Sequence, residues 1–209
     1  MMQSEVCGVI LAGGLSSRMG CDKNLLKVSG KTLLENAVTT ISSVCEEVFV
    51  SVRSSSNCLD NLHLNDSSHK VIVDSTPRIG PMGGIISALT QIQKPIMVLA
   101  CDMPFMTKFL LESLLSARNG RCQGKHMTTF LHPDTGFIES LVAIYELEAL
   151  PILQKCHDES IYKLSKAIPK AQRCHIPVCG SSNLCFFNTN TMKDITYARN
   201  IYVENVNYA

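Results

Sequence analysis

Residues 6–27 read VCGVILAGGLSSRMGCDKNLLK, and these residue types in this order suit a polyphosphate. A short apolar run, Val9, Ile10 and Leu11, breaks into Ala12, Gly13 and Gly14. An apolar run of that length bounded by glycines predicts a buried strand. The glycines behind it let the backbone turn and approach a ligand closely, because no Cβ stands in the way. Arg18 and Lys23 follow within the same loop, so cationic side chains hang over exposed backbone N–H groups. Donors from the loop, positive charge and little bulk together make an anion cradle. Neither of the two common phosphate loops is present. No Gly-Lys-Ser/Thr closes this one, and the Gly-x-Gly-x-x-Gly spacing is absent.

Other chemically loaded residues stand where apolar runs end. Pro95 to Ala100 delivers Cys101, Asp102, Met103 and Pro104. A hard carboxylate at a strand end can hold Mg²⁺ beside nucleotide phosphates, with waters completing the octahedron. Asp102 is therefore a metal-ligand candidate, although an aspartate just ahead of Thr107 could equally cap a helix. Lys70 to Val73 ends at Asp74, which reads as a nucleotide contact or as a turn residue ahead of Ser75 and Pro77. Glu47 to Val52 brings Ser51 to a strand end, and Gly80-Pro-Met-Gly-Gly84 forms a further turn. In open α/β sheets ligands bind beyond the carboxyl ends of the strands, so these motifs are expected on one rim.

The motifs resemble those of the molybdenum cofactor guanylyltransferases, a branch of the nucleotidyltransferases with a Rossmann-like core. In that family the opening runs Leu-Ala-Gly-Gly, a variable residue, Ser, another variable residue, Arg-Met-Gly, a short gap and Asp-Lys. Those types stand here at Leu11 to Gly14, Ser16, Arg18 to Gly20, Asp22 and Lys23. CDMPFM resembles the family's Cys-Asp-x-Pro-Phe segment, and Gly80 to Gly84 its Gly-Pro-x-x-Gly loop. FFNTNTMKDI is similar to its Asn-x-Asn-Thr-Pro-Glu-Asp stretch. The resemblance is strongest at residues 6–35, 70–105 and 186–197.

The resemblance implies transfer of GMP from GTP to the phosphate of Mo-molybdopterin, with release of pyrophosphate. It implies nucleotide contacts from Leu11, Ala12, Gly13, Gly14, Lys23, Ser51, Asp74, Gly80 and Asp102. Arg18, Lys23 and Asp102 would be catalytic, with Asp102 ligating Mg²⁺ (or Mn²⁺ in its place). Asn188 and Asn190, whose amides both donate and accept, would hold the pterin edge or its phosphate. Along an extended segment both would point to the same side, and the alternative is loop and cap chemistry. The implied partners are GTP, Mo-molybdopterin and, transiently, cofactor insertion or delivery proteins.

Departures from the pattern are specific. Ser51 stands where a nucleotide-contacting Asn is common, Thr189 replaces an apolar residue, and Met192 stands for Pro. The Arg53 to Ser68 segment is longer than usual, and no function is carried over to His132 and Pro133. Cytidylyl transfer to the same acceptor is the close rival. Gly13 and Asp22 favour guanine by resemblance alone. Sugar-1-phosphate nucleotidyltransferases share the opening but fit Asn188 and Asn190 poorly. A regulatory module without catalysis is disfavoured by retention of both Lys23 and Asp102.

Composition narrows the field further. With 209 residues and 45% hydrophobic content, one domain with a sizeable core is expected over the whole chain. On the resemblance, its N-terminal half would bind GTP and Mg²⁺, and its C-terminal half the cofactor. A formal net charge of +1 argues against a general nucleic-acid or membrane surface. The apolar runs are too short to span a bilayer, and residues 1–5 carry no basic region, so a cytoplasmic protein is expected. Ten cysteines without a signal peptide or a Cys-x-x-Cys read mostly as reduced, small buried residues. Cys174, His175, Cys179 and Cys185 fit no common zinc spacing.

The elements that must position these residues alternate. Strands are expected at 9–11, 47–52, 70–73 and 95–100. Helices are expected at Thr32 to Ser43, with Thr32 and Glu35 as a capping box, at about 85–93 and at 107–117. That alternation predicts an α/β fold, three layers around a mostly parallel sheet. The second half is less regular. Strands are expected at 123–131, 139–144 and 184–187, and helices at 146–155, 161–168 and 191–199. Thr191 and Asp194 would cap the last of these.

Overall fold

The computed structural model describes residues 6–13, 23–53, 69–75, 79–120 and 122–206. Gly14, Ser16, Arg18 and Asp22 lie outside the described residues, as does Arg53 to Ser68 beyond its first residue. The strands are β1 (Cys7–Leu11), β2 (Lys27–Val28), β3 (Lys31–Thr32), β4 (Val48–Arg53), β5 (His69–Asp74), β6 (Ile96–Ala100), β7 (Met127–Leu131), β8 (Ile138–Tyr145) and β9 (Arg173–Pro177). The helices are α1 (Leu33–Ser42), α2 (Pro81–Ile92), α3 (Lys108–Asn119), α4 (Ala149–Asp158), α5 (Leu164–Ala167) and α6 (Met192–Val206).

Seven strands form one sheet in the order β5-β4-β1-β6-β8-β7-β9, and β2 pairs with β3 in a separate small hairpin. Every pairing in the large sheet is parallel except those of β8, which runs antiparallel to both β6 and β7. The expected mostly parallel α/β/α architecture is what the chain adopts. Ile10, Val50, Leu99 and Val142 face a layer holding Leu34 and Ile41 of α1 and Leu111 and Leu114 of α3. Val9, Val98, Ala143 and Tyr145 face Ile85 and Leu89 of α2 and Leu153 of α4. Because both faces are covered, β1 and β6 read as continuous apolar runs and not as alternating ones.

The expected caps are present. Thr32 N–H donates to Glu35 Oε2 at 2.6 Å while Glu35 N–H donates to Thr32 Oγ1 at 3.1 Å. Asp194 N–H donates to Thr191 Oγ1, and Thr191 N–H to Asp194 Oδ2. Several expectations need correction. α2 begins at Pro81, four residues before the expected start, because Pro is at home in a first helical turn and Gly83 and Gly84 continue it. The segment expected as a strand at 184–187 lies in a 3₁₀ turn over Gly180–Phe186, where Ser182 N–H bonds Cys179 O and Phe187 N–H bonds Leu184 O. One sheet edge is held by β9, a strand that was not expected. The expected helix at 161–168 shrinks to α5, four residues long. Cys122 and Cys174 pair as a disulfide, with Cα atoms 5.3 Å apart, whereas Cys45 and Cys156 are free. Among the described residues no helix is long and apolar enough to cross a membrane.

Candidate active site

The parallel strands β1, β4, β5 and β6 all end on the same rim, and a cleft opens there. Of the residues singled out in the sequence, Leu11, Gly13, Lys23, Ser51, Asp74, Gly80 and Asp102 line it. Ala12 does not. It is buried, its N–H donates to Ser51 O, and its C=O accepts from Asn24 Nδ2 at 2.8 Å. Its part is to hold the loop in place behind the cleft wall.

At the centre, Lys23 Nζ lies 2.8 Å from Asp102 Oδ2 and 3.1 Å from Asn190 Oδ1. The Lys23 and Asp102 side chains are only 15% and 19% exposed, so the ion pair is partly shielded from water. The other carboxylate oxygen, Asp102 Oδ1, is buried and has no hydrogen-bond partner among the described residues. A buried carboxylate oxygen left bare is costly, and native structures leave few such atoms without a reason. A hard cation is the ligand that this oxygen fits. Mg²⁺ accepts one protein carboxylate and completes its shell with waters and phosphate oxygens, so a second carboxylate is not required.

Three polar residues missed in the sequence build this arrangement. Asn24, buried in the turn Lys23–Leu25, donates to Ala12 O and accepts from Cys101 Sγ at 2.9 Å, which ties the loop after β1 to the loop after β6. Thr189 is fully buried, and both its N–H (2.9 Å) and its Oγ1 (3.1 Å) donate to Asp102 O. The hydroxyl that replaced an apolar residue thus anchors the C-terminal segment to the aspartate loop. That polar substitution was the available signal. Ser87 on α2 donates from Oγ to Asp74 Oδ1 at 3.1 Å and accepts from Ser75 N–H at 3.1 Å, which orients the Asp74 carboxylate.

Close approach explains one glycine. A Cβ on Gly84 would stand 2.8 Å from Ser51 Oγ and 2.9 Å from Leu11 Cδ2, so α2 can pack against β1 and β4 only with glycine there. Gly80 takes φ 71°, the left-handed region that glycine adopts without strain, at the entry to α2. Asn190 reaches the centre, while Asn188 Nδ2 turns back to Phe186 O at 3.2 Å. Arg18 and Gly14 lie outside the described residues.

A mostly parallel α/β sheet carrying a glycine-bounded loop, a Lys–Asp pair and a bare carboxylate oxygen on its carboxyl rim defines a nucleotide-handling protein of the nucleotidyltransferase class. Comparison with known proteins places it more narrowly: residues 8–173 match the family model described as MobA-like NTP transferase domain, and the chain belongs to that family. A protein of Chloroflexus aggregans named probable molybdenum cofactor guanylyltransferase is 32% identical over 77% of this chain and 75% of its own length. One of the same name from Thermococcus kodakarensis is 31% identical over 90% and 91%. The crystal structure of molybdopterin-guanine dinucleotide biosynthesis protein A from Archaeoglobus fulgidus superposes with a TM-score of 0.78 at 24% identity, covering 95% of this chain and all of that one, which establishes the shared fold.

Proposed function

We propose that the chain transfers GMP from GTP to the phosphate of Mo-molybdopterin, releasing pyrophosphate and forming the guanine dinucleotide cofactor. The observation that carries this reading is the meeting of Lys23, Asp102 and Asn190, which come from three of the four motifs that resemble the guanylyltransferases. The names of the relatives support the same acceptor and base.

In this reaction an oxygen of the acceptor phosphate attacks the α-phosphorus of GTP, and the bond to the β-phosphate oxygen breaks. Lys23 is placed to neutralise phosphate charge that grows as pyrophosphate departs. Bound Mg²⁺, or Mn²⁺ in its place, would be held by Asp102 and would supply charge neutralisation at the phosphates. Asp102 also holds Lys23 in position, and through its C=O it fixes Thr189. Leu11, Gly13, Ser51, Asp74 and Gly80 form the nucleotide side of the cleft. Asn188 and Asn190 form the acceptor side, which assigns the N-terminal half of the chain to GTP and the C-terminal half to the cofactor. On this reading the reaction is cytoplasmic, and the product passes to cofactor insertion or delivery proteins by transient contact.

Pyrophosphate release measured with each of the four nucleoside triphosphates, with and without Mo-molybdopterin, tests the proposal. Release that requires both GTP and the acceptor is the expected result. Equal or faster release with CTP would replace it by the cytidylyl reading, and release with no acceptor dependence would end it.

A further inference from the structure

The wall that carries Asn188 continues beyond the nucleotide cleft. Asn188 bonds Phe186 O, and the Phe186 ring packs edge-on against His132 with centroids 5.5 Å apart. His132 Nε2 in turn lies 2.7 Å from Glu139 Oε1. His132 follows the end of β7, and Glu139 is the second residue of β8, which runs antiparallel to β6 and β7, so both belong to the rim on which β6 ends. The β6–β8 register sets Leu99 opposite Val142. Leu141 of the same strand lines the cleft, and Glu139 stands two residues from it toward the rim.

Glu139 is only 7% exposed, and a buried carboxylate is costly unless it is paired and bonded. Its backbone C=O is already engaged by Thr129 Oγ1, and its side chain has one hydrogen-bond partner among the described residues, His132 on Oε1. Burial pushes the Glu139 carboxyl up, and the His132 hydrogen bond and charge oppose that rise. Beside the pair, Phe137 is 54% exposed with its ring centroid 6.0 Å from that of His132. An exposed aromatic face next to a shielded acid suits a flat heterocycle that stacks on one and donates to the other.

We propose that Glu139, held by His132 and flanked by Phe137, recognises the 2-amino-4-oxopyrimidine edge of the acceptor's pterin ring. This rests on the transferase reading of the same cleft and adds the determinant of its acceptor. The pterin edge presents a ring N–H and an exocyclic N–H side by side. An ionised carboxylate is an acceptor with about four lone-pair sites, so it can keep His132 and still take both donors. Asn188 anchors the wall nearer the phosphate, and Glu139 reads the far end of the ring. A site built to accept a particular N–H rejects an analogue that lacks it.

The test is fluorescence titration of the full chain with 6-(phosphooxymethyl)pterin and with its lumazine counterpart, in which a carbonyl replaces the 2-amino donor. Wild type is expected to bind the pterin about 10-fold or more tightly than the lumazine, the worth of one charged hydrogen bond. Glu139→Gln is expected to abolish that preference while GTP binding stays unchanged. If Glu139→Gln melts early, the wild-type comparison of the two compounds still decides. Equal binding of pterin and lumazine by wild type, binding of neither, or a preference that survives in Glu139→Gln overturns the proposal. Full GTP-dependent transfer with no pterin preference would sink this inference and leave the transferase reading standing. Absence of GTP-dependent transfer would sink that reading by itself.

Discussion

Lys23 Nζ and Asp102 Oδ2 are 2.8 Å apart although 79 residues separate them, and the opposite carboxylate oxygen has no partner among the described residues. One carboxylate thus faces two ways, one oxygen toward the Lys23 ammonium and the other bare, the oxygen to which the proposed function assigns the metal. Asp102→Asn keeps an oxygen for Lys23 but removes the charge. Turnover is expected to fall by ~100-fold or more while the far-ultraviolet circular dichroism spectrum is retained. A folded variant turning over at the wild-type rate would end the metal role of Asp102.

Lys23→Ala strips the ammonium from both Asp102 and Asn190. Loss of one preorganised phosphate donor is expected to slow turnover by ~100-fold or more. Stability should fall modestly, because Asp102 is left without its cation. Steady-state kinetics beside a thermal melt separates the two effects. Turnover within a few-fold of wild type together with a collapsed melting temperature would make Lys23 structural.

Replacing Asn188 and Asn190 together by Ala should leave GTP affinity within a few-fold, since the proposed nucleotide side of the cleft is built from the strand ends of β1, β4 and β5 and the start of α2. Acceptor affinity should fall, each lost hydrogen bond being worth ~1 kcal/mol. Separate titrations of GTP and Mo-molybdopterin check this. A melting-temperature drop with both affinities intact would reduce the two residues to loop and cap chemistry.

Gly84→Ala forces a methyl into a gap that Ser51 and Leu11 already close. Overpacking of this kind costs about 1–3 kcal/mol. The strain falls on two cleft residues, so GTP affinity measured by calorimetry should weaken along with stability. An unchanged dissociation constant would show that α2 shifts without disturbing the cleft.

Burial, with a smaller contribution from neighbouring Cys7, pushes the Cys45 thiol up to about 12. The thiolate is the reactive species, and at pH 8 it amounts to about one molecule in 10⁴ for such a thiol. Brief iodoacetamide treatment followed by peptide mass spectrometry is expected to label the exposed Cys179 and spare Cys45. Early labelling of Cys45 would contradict its burial between β1 and α1.

The legible parts of the chain were those where one physical demand dominates. β1 and β6 are covered on both faces, so their apolar runs announced them. β9 is an edge strand, and its residues Arg173, Cys174, His175, Ile176 and Pro177 carry neither an apolar run nor a clean alternation. Gly84 looked like loop punctuation because its reason is a neighbour, Ser51, more than 30 residues away. Lys23 and Asp102 could be found from their motifs, and Asp74 from its strand end. Asn24 and Ser87 could not, because their partners, Cys101 and Asp74, lie elsewhere in the chain, and Thr189 showed only as a polar residue in an apolar place, its partner Asp102 standing 87 residues away. A buried polar residue becomes visible only when its distant partner is known.

The anchoring of Thr189 on Asp102 sets the order in which the protein becomes competent. β1 lies mid-sheet and needs both β4 and β6 beside it, so the nucleotide side can assemble once about half the chain has been made. The Asn190–Lys23 contact spans 167 residues and closes only when the last helix arrives. Contacts of such long sequence separation form late, because their loop entropy must be met first. On the proposed function, the nucleotide side of the cleft precedes the acceptor side in assembly, and transfer waits for the last helix.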